Sequence, residues 1–234
     1  MKILAIDTSN HPLGVAIIDG EQVIGEYITN VKKNHSVRAM PAIEKLMNDC
    51  DIKPNELDKI VVAKGPGSYT GVRIGVTIAK TLAWTLKIPI SGISSLEVLA
   101  ANGKHFPGLV SPLFDARRGQ IFTGLYEGRN GIISNVKEDT IIQSSEWAKE
   151  LLQEEKDILF IGNDISIHKD ILVKTLGNRA IFADVASLNP RPSGLALLGK
   201  QADPEDPHGF VPNYLRLAEA EANWIKQQKI NSSK

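Results

Sequence analysis

The order of predicted elements repeats between the two halves of the chain, and this repeat constrains the fold more than any other feature of the sequence. Each half opens with three strand-like segments separated by short turns, and then alternates helices with strands. The opening segments cover residues 2–7, 15–20 and 22–29 in the first half, and 109–116, 120–126 and 132–136 in the second. Two related α/β lobes with a cleft between them are the fold that this duplication predicts.

Helical periodicity and turn residues place the other elements and the boundary between the lobes. Helices are predicted over 35–50, 72–87, 94–101, 145–155, 167–176 and from about 192, and strands over 59–64, 90–93, 158–161 and 180–183. Pro41 either starts the first helix proper or kinks it. The polar segment 102–108 favours a boundary there. We therefore predict an N-terminal lobe over 1–101, a C-terminal lobe over 102–218, and a tail helix within 219–234 that packs on the N-terminal lobe.

Composition limits the partners and the compartment. Lys and Arg total 27 and Asp and Glu total 27, so the formal charge is zero and no bulk attraction to nucleic acid is expected. The single cysteine, Cys50, cannot form an internal disulfide, which fits a reducing compartment. The apolar run at residues 1–7 is too short for a signal peptide, and no segment approaches the ~20 apolar residues of a membrane helix. We expect a cytoplasmic protein with no membrane contact.

Four stretches in order along the chain carry a family resemblance. They are Ile-Asp-Thr-Ser at 6–9, a Gly-Pro-Gly-containing stretch at 64–75, Asp-Ala-Arg-Arg-Gly-Gln at 115–120, and Val-Pro-Asn-Tyr-Leu-Arg at 211–216. Together they resemble the TsaB family. Because the four stretches span nearly the whole chain, the resemblance covers both predicted lobes.

The resemblance implies a two-lobed actin/Hsp70-like (ASKHA) α/β fold with a degenerate nucleotide site. It implies a non-catalytic scaffold for the bacterial complex that forms N6-threonylcarbamoyladenosine beside the anticodon of tRNA. The implied partners are a TsaD-like catalytic subunit, to which this family is paralogous, and a TsaE-like ATPase. Contact with tRNA is then indirect, through the complex, and the chain alone is expected to form a homodimer.

The resemblance also allows a comparison with the metal-binding motif of TsaD-like enzymes. TsaD-like enzymes hold their metal with a His-x-x-x-His pair on one helix. When Glu97 is matched to the acidic residue of that motif, the two ligand positions become Ser95 and Leu99. Leucine offers no lone pair, and the five histidines are scattered without ligand spacing. We therefore predict no metal site and no catalytic residue.

The candidates for nucleotide contact are Asp7 at the end of the first strand, together with Asp115 and Arg118 at the second turn. Asp7 is read either as a strand-end cap or as a relic of the carboxylate that orients metal and water. The first turn lacks a glycine that would admit phosphate, and the expected adenosine loop is reduced to residues 162–164. We expect weak nucleotide binding at most, no hydrolysis and no obligatory cofactor.

The glycine-rich loop at 65–71 lacks the Gly-Lys-Ser/Thr ending of a phosphate-binding loop, so a tight turn with Ser68 or Thr70 as helix cap is favoured. The helix that follows is apolar on nearly all sides, which indicates a second covered face. Five apolar residues on the two long helices of the first half are the predicted partner surface: Met40, Ile43, Met47, Ile74 and Ile78. The alternative is that both stripes are only core.

Two other functions are weighed. Arg117 and Arg118, with Arg73, are candidates for RNA phosphate contact, although paired arginines in a turn are more often solvated. A glycoprotease-like peptidase or an ASKHA-type kinase or ATPase is the enzymatic alternative. The chain has no Gly-x-Ser-x-Gly motif and no paired metal histidines, and the sequence offers no compelling base for the Cys50 thiol.

Overall fold

Two separate five-stranded sheets form the framework of the protein, which is described from a computed structural model covering residues 1–31 and 33–216. The first sheet has the order β3-β2-β1-β4-β5, where β1 pairs antiparallel with β2 and parallel with β4. Its strands are β1 (Lys2–Asp7), β2 (Leu13–Asp19), β3 (Gln22–Thr29), β4 (Lys59–Ala63) and β5 (Ile90–Ile93).

The second sheet repeats this topology. Its strands are β6 (Leu109–Asp115), β7 (Gln120–Arg129), β8 (Ile132–Gln143), β9 (Ile158–Ile161) and β10 (Ala180–Phe182). The order is β10-β9-β6-β7-β8, so β6 pairs antiparallel with β7 and parallel with β9, as β1 does with β2 and β4. The predicted duplication of an α/β lobe is confirmed.

Six α-helices cover the faces of the two sheets in the described part of the chain. They are α1 (His35–Asp49), α2 (Tyr69–Leu86), α3 (Ser95–Ala100), α4 (Ser144–Glu150), α5 (Ile165–Leu176) and α6 (Pro192–Gln201). Helices α1 and α2 share a core with one face of the first sheet, and α4 and α5 with one face of the second. Pro41 lies inside α1, so the alternative in which it begins the helix is wrong.

Helices α3 and α6 lie between the two sheets and correct the predicted domain assignment. Leu195 and Ala196 of α6 pack against the first sheet, although the sequence interpretation placed this helix in the C-terminal lobe. Leu96 and Leu99 of α3 pack against the second sheet, although they precede the predicted boundary. Each lobe must cover both faces of its sheet, and the chain does this by exchanging one helix across the junction.

The end of the described chain runs across both lobes. Phe210 is buried in the core of the first lobe, and the Asn213 amide donates to the Lys64 carbonyl at 2.7 Å. The Arg216 guanidinium then donates to the Ala116 carbonyl of the second lobe at 2.7 Å. The predicted tail helix within 219–234 lies outside the described residues. None of the described helices is both long and apolar enough to cross a bilayer.

Candidate functional site

The turn after β1 is the place where the family resemblance implies a nucleotide contact, at Asp7. Asp7, Thr8 and Ser9 are all buried there. The Ser9 amide and hydroxyl both donate to Asp7 Oδ1, at 2.8 and 2.7 Å, so the carboxylate caps its own turn. Asp7 therefore caps the turn at the end of β1, which is one of the two roles that the sequence suggested for it.

The start of α2 presses directly onto this turn. A Cβ added at Gly67 would lie 2.1 Å from the Ser9 carbonyl oxygen, and one at Gly71 would lie 2.3 Å from the Thr8 carbonyl oxygen. The Ser68 amide donates to the Ser9 carbonyl at 2.7 Å. The glycine-rich loop is thus a close-packing device, and Ser68 caps α2 by accepting from the Gly71 amide, as predicted. Because backbone fills the space beside the turn, the residues present do not fit a phosphate group there.

Burial raises the pKa of the Asp7 carboxyl above its ordinary value, while the two hydrogen bonds from Ser9 act in the opposite direction. Asp7 Oδ2 has no hydrogen-bond partner in the described structure, and neither does the buried Nδ1 of His35. A desolvated carboxylate with one oxygen unsatisfied is costly to keep charged.

Asp7→Asn is expected to raise the melting temperature at pH 8, because asparagine keeps an acceptor for Ser9 and carries no charge. The raised pKa means that the folded carboxyl binds its proton more tightly than the unfolded one, so its contribution to stability is lost as the pH rises above 3.8. The advantage of asparagine should therefore be smallest at pH 3 and grow with pH in thermal melts. The matched control is Asp19→Asn, which should lower stability at pH 8, because a hydrogen bond from the N-terminal ammonium lowers the pKa of Asp19. Equal melting temperatures of Asp7→Asn and wild type at pH 8 would contradict the assignment.

The second turn is also occupied by contacts within its own lobe. The Asp115 amide donates to Asp164 Oδ2 at 2.9 Å, and Asp115 Oδ1 lies 3.1 Å from His168 Nε2. At Gly162 a Cβ would lie 2.2 Å from the Leu113 carbonyl, which makes residues 162–164 a tight strand-to-helix turn. Asp115 is therefore committed to holding α5 against β6. Arg118 lies on the exposed hairpin between β6 and β7.

The two positions that match metal ligands serve packing. The Ser95 hydroxyl accepts from the Gly65 amide at 3.1 Å, and Leu99 is fully buried against the second sheet. Glu97 beside them has its pKa raised by burial and by the neighbouring Asp139. A serine hydroxyl that is already engaged and a leucine do not make a metal-binding pair, so the donor set does not fit the metal of a TsaD-like enzyme. The described residues include no group of three or more metal-ligating side chains.

A groove of about 460 Å³ lies between α1 and α2 on the outer side of the first lobe. Three of the five predicted partner-surface residues line it: Met40, Ile74 and Ile78. The other five lining residues are polar or aromatic: Ser36, Tyr69, Thr70, Arg73 and Thr77. The groove combines apolar and hydrogen-bonding side chains, as protein interfaces do.

The prediction that Ile43 and Met47 form part of an exposed patch is wrong. Ile43 is 2% exposed and Met47 is 7% exposed, whereas Met40 is 45% exposed. The buried stripe of α1 runs along Ala39, Ile43 and Met47, and Met40 lies at its edge. One apolar stripe on a helix faces the core first, so only its margin remains for a partner.

Sequence reasoning missed the aromatic residues of this surface. Tyr69 and Arg73 lie four residues apart on α2, so they share one face of the helix, which is a signal that the sequence contains. Trp84, further along α2, is exposed and lines a second groove of about 640 Å³ with Ile88 and His208. The outer side of α2 therefore carries an exposed aromatic residue near each end, with threonines, Arg73 and half-buried apolar residues between them.

Cys50 lacks the features of a catalytic nucleophile. Burial raises the pKa of its thiol, and the neighbouring Asp49 raises it further, so the thiolate is disfavoured. The side chain packs against the core of the first lobe.

The fold defines a two-lobed α/β protein in which Asp7, Ser95 and Leu99, at the positions where the resemblance looks for phosphate and metal contacts, serve packing and capping. A family model described as tRNA N6-adenosine threonylcarbamoyltransferase (TsaD) matches residues 22–224. The tRNA threonylcarbamoyladenosine biosynthesis protein TsaB of Bacillus subtilis is 59% identical over 229 residues, covering 98% of this chain and all of the relative. The protein of the same name from Buchnera aphidicola (subsp. Schizaphis graminum) is 32% identical over 69% of this chain and 78% of its own length.

The solved structure of a Pseudomonas aeruginosa protein with similarity to peptidase YEAZ has the same fold, with a TM-score of 0.79 at 23% identity, covering 92% of this chain and 99% of that one. The chain belongs to the TsaB family, within the wider group of TsaD-related proteins.

Proposed function

We propose that this chain is the non-catalytic subunit of a cytoplasmic complex that forms N6-threonylcarbamoyladenosine beside the anticodon of tRNA, and that it binds a TsaD-like catalytic subunit. The observation that carries the proposal is the groove between α1 and α2, where Met40 and Ile74 remain accessible beside a filled first turn. The residues at the matching catalytic positions, Asp7 and Ser95, are engaged in hydrogen bonds within the chain. The apolar side chains of the groove remain uncovered.

The family relationship supports the identity of the partner. The chain matches the TsaD family model over residues 22–224, which supports a paralogous relationship between the two subunits. Two helices from each first lobe, laid against each other, would bury the grooves in a four-helix contact. A surface that fits a paralogue also fits its own copy closely, so the chain alone forms a homodimer through the same groove. A TsaE-like ATPase then joins the pair.

Reconstitution of tRNA modification tests the proposal. An unmodified tRNA transcript is incubated with the purified chain, with the TsaD-like subunit, or with both, in the presence of the threonylcarbamoyl donor and the TsaE-like ATPase. The modified nucleoside is expected only when the TsaD-like subunit is present, and its yield should rise when this chain is added. Product formed by this chain without the TsaD-like subunit, in the presence of chelator, would overturn the non-catalytic assignment.

A further inference from the structure

Three segments that are remote in sequence meet along one side of the molecule and form a surface that we call the arginine ridge. The segments are 68–73 from the first lobe, 116–120 from the second lobe and 211–216 from the connecting end of the chain. Tyr214 and Tyr69 join the first and third segments, with ring centroids 5.0 Å apart. Arg216 joins the third segment to the second through the Ala116 carbonyl at 2.7 Å.

The charge of the ridge differs from that of the whole chain. Its three segments contain four arginines and no aspartate or glutamate, in a chain whose formal net charge is zero: Arg73, Arg117, Arg118 and Arg216. All four arginines are exposed. Asp115, which precedes the second segment, is engaged by His168. A local concentration of exposed guanidinium groups, on segments that carry no acidic residue of their own, favours the binding of an anion.

Exposed aromatic rings lie among these charges. Tyr69 is 42% exposed and Tyr214 is 41% exposed, and their rings are tilted by 30°. The Arg73 guanidinium lies 5.3 Å from the centre of the Tyr69 ring and donates to the Tyr69 hydroxyl at 3.0 Å. Proteins that bind single-stranded RNA use guanidinium groups to contact phosphates and partly exposed aromatic rings to stack on bases.

The hairpin that carries Arg117 and Arg118 has an unusual backbone conformation for arginine. Arg117 and Arg118 have φ of 64° and 56°, and Gly119 has φ of 77°. Tight hairpins in this conformation are normally built from Asn and Gly, because L side chains disfavour positive φ. Consecutive arginines are thus held in a conformation that they disfavour, which is typical of a functional site.

We propose that the arginine ridge binds the sugar–phosphate backbone of RNA directly, so that this chain contributes its own contact to the tRNA substrate. The inference rests on the proposed function for the identity of the RNA. Tyr69 and Arg73 also line the groove assigned to the TsaD-like subunit, so within the complex the RNA contact falls to the hairpin arginines and Tyr214.

Replacement of the hairpin arginines by the residues that this turn favours provides a test in which binding and stability move independently. The double variant Arg117→Asn, Arg118→Gly is expected to weaken binding of an unmodified tRNA transcript at least tenfold by fluorescence anisotropy at 150 mM salt. Its melting temperature should not fall, because the new residues tolerate positive φ. The slope of log affinity against log salt should decrease by about one for each phosphate that the variant no longer binds.

Matched variants distinguish the effect of losing arginines at the ridge from the effect of losing positive charge elsewhere on the chain. Arg129→Asn removes one guanidinium at the opposite end of β7, and its affinity for the transcript should stay within twofold of wild type. Arg117→Lys, Arg118→Lys should retain most of the binding, since phosphate also accepts from ammonium. If the Asn/Gly variant melts early, Tyr214→Leu replaces it, with an expected loss of at least fivefold from removed stacking.

The outcomes also separate this inference from the proposed function. Binding of each variant to the TsaD-like subunit is measured in parallel and is expected to match wild type for both hairpin variants. Transcript binding that is unchanged by the double variant and by Tyr214→Leu overturns the inference while leaving the proposed function intact. Stoichiometric displacement of the transcript by micromolar ATP also overturns it and makes the hairpin a nucleotide site.

Discussion

Ile74→Glu is expected to weaken binding of the TsaD-like subunit at least 100-fold, which corresponds to about 2.7 kcal/mol. The Ile74 side chain lines the groove between α1 and α2, where a partner would remove it from water. A glutamate there would have to be buried without a counter-charge, which costs more than the absence of the isoleucine side chain alone. Isothermal titration of the two purified subunits measures the change directly.

The same substitution should abolish the homodimer, because one surface serves both pairings. Analytical ultracentrifugation of the chain alone should show a monomer for Ile74→Glu and a dimer for wild type. The variant should remain folded, since Ile74 is only half-buried, whereas Ile78 also packs against the core of its own lobe.

Val185→Glu is the matched control for Ile74→Glu. It introduces the same charge at an exposed apolar residue of the second lobe, away from the groove, and should leave both pairings unchanged. An unfolded Ile74→Glu protein would mean that this stripe is core. A folded variant with normal binding to the TsaD-like subunit would place the interface elsewhere.

Gly71→Ala is expected to lower the free energy of unfolding by about 3 kcal/mol, because the new methyl group would overlap a backbone carbonyl that cannot move freely. The Cβ would lie 2.3 Å from the Thr8 oxygen, and the Thr8 hydroxyl already donates to the Gly71 carbonyl at 2.7 Å. For a domain of this size the melting temperature should fall by roughly 6–12 °C. Thermal unfolding followed by circular dichroism provides the measurement.

Gly194→Ala is the control for Gly71→Ala, since it makes the same change within a helix, in α6. The added Cβ would meet Arg191 Cβ at 3.7 Å, which is ordinary van der Waals contact. Alanine should therefore stabilise α6 by about 0.5–1 kcal/mol, as it does in helices generally. Equal stability of Gly71→Ala and wild type would refute the explanation that α2 fills the phosphate position.

The candidate site was only partly predictable from the sequence. The absence of glycine from the first turn predicted poor phosphate binding, and the structure adds that the glycines of the α2 loop bring backbone against that turn. The sequence contains Gly67 and Gly71 but does not show what lies opposite them. The tilted pair of Tyr69 and Tyr214 joins residues that are far apart along the chain, so no local pattern predicts it.

The partner surface shows a similar division. Helical spacing correctly placed Ile43 and Met47 on an apolar stripe of α1, but the same spacing describes a stripe that faces the core. The choice depends on which surface the first sheet covers, and that is a property of the packed lobe. Met40 and Ile74 stay accessible because they lie at the margins of their stripes.

Local chemistry determined the element order, the strand bounds at β1, β3, β5 and β9, and the repeat that made two lobes the expected fold. Each of these depends on residues within a few positions of one another, where periodicity and turn chemistry act. The tertiary structure alone decided that α3 and α6 are exchanged between the lobes, that α2 packs against the first turn, and that the three segments of the ridge meet. These features depend on which distant segments pack together and bury each other's apolar surface. Local sequence patterns do not specify contacts between residues that are far apart along the chain.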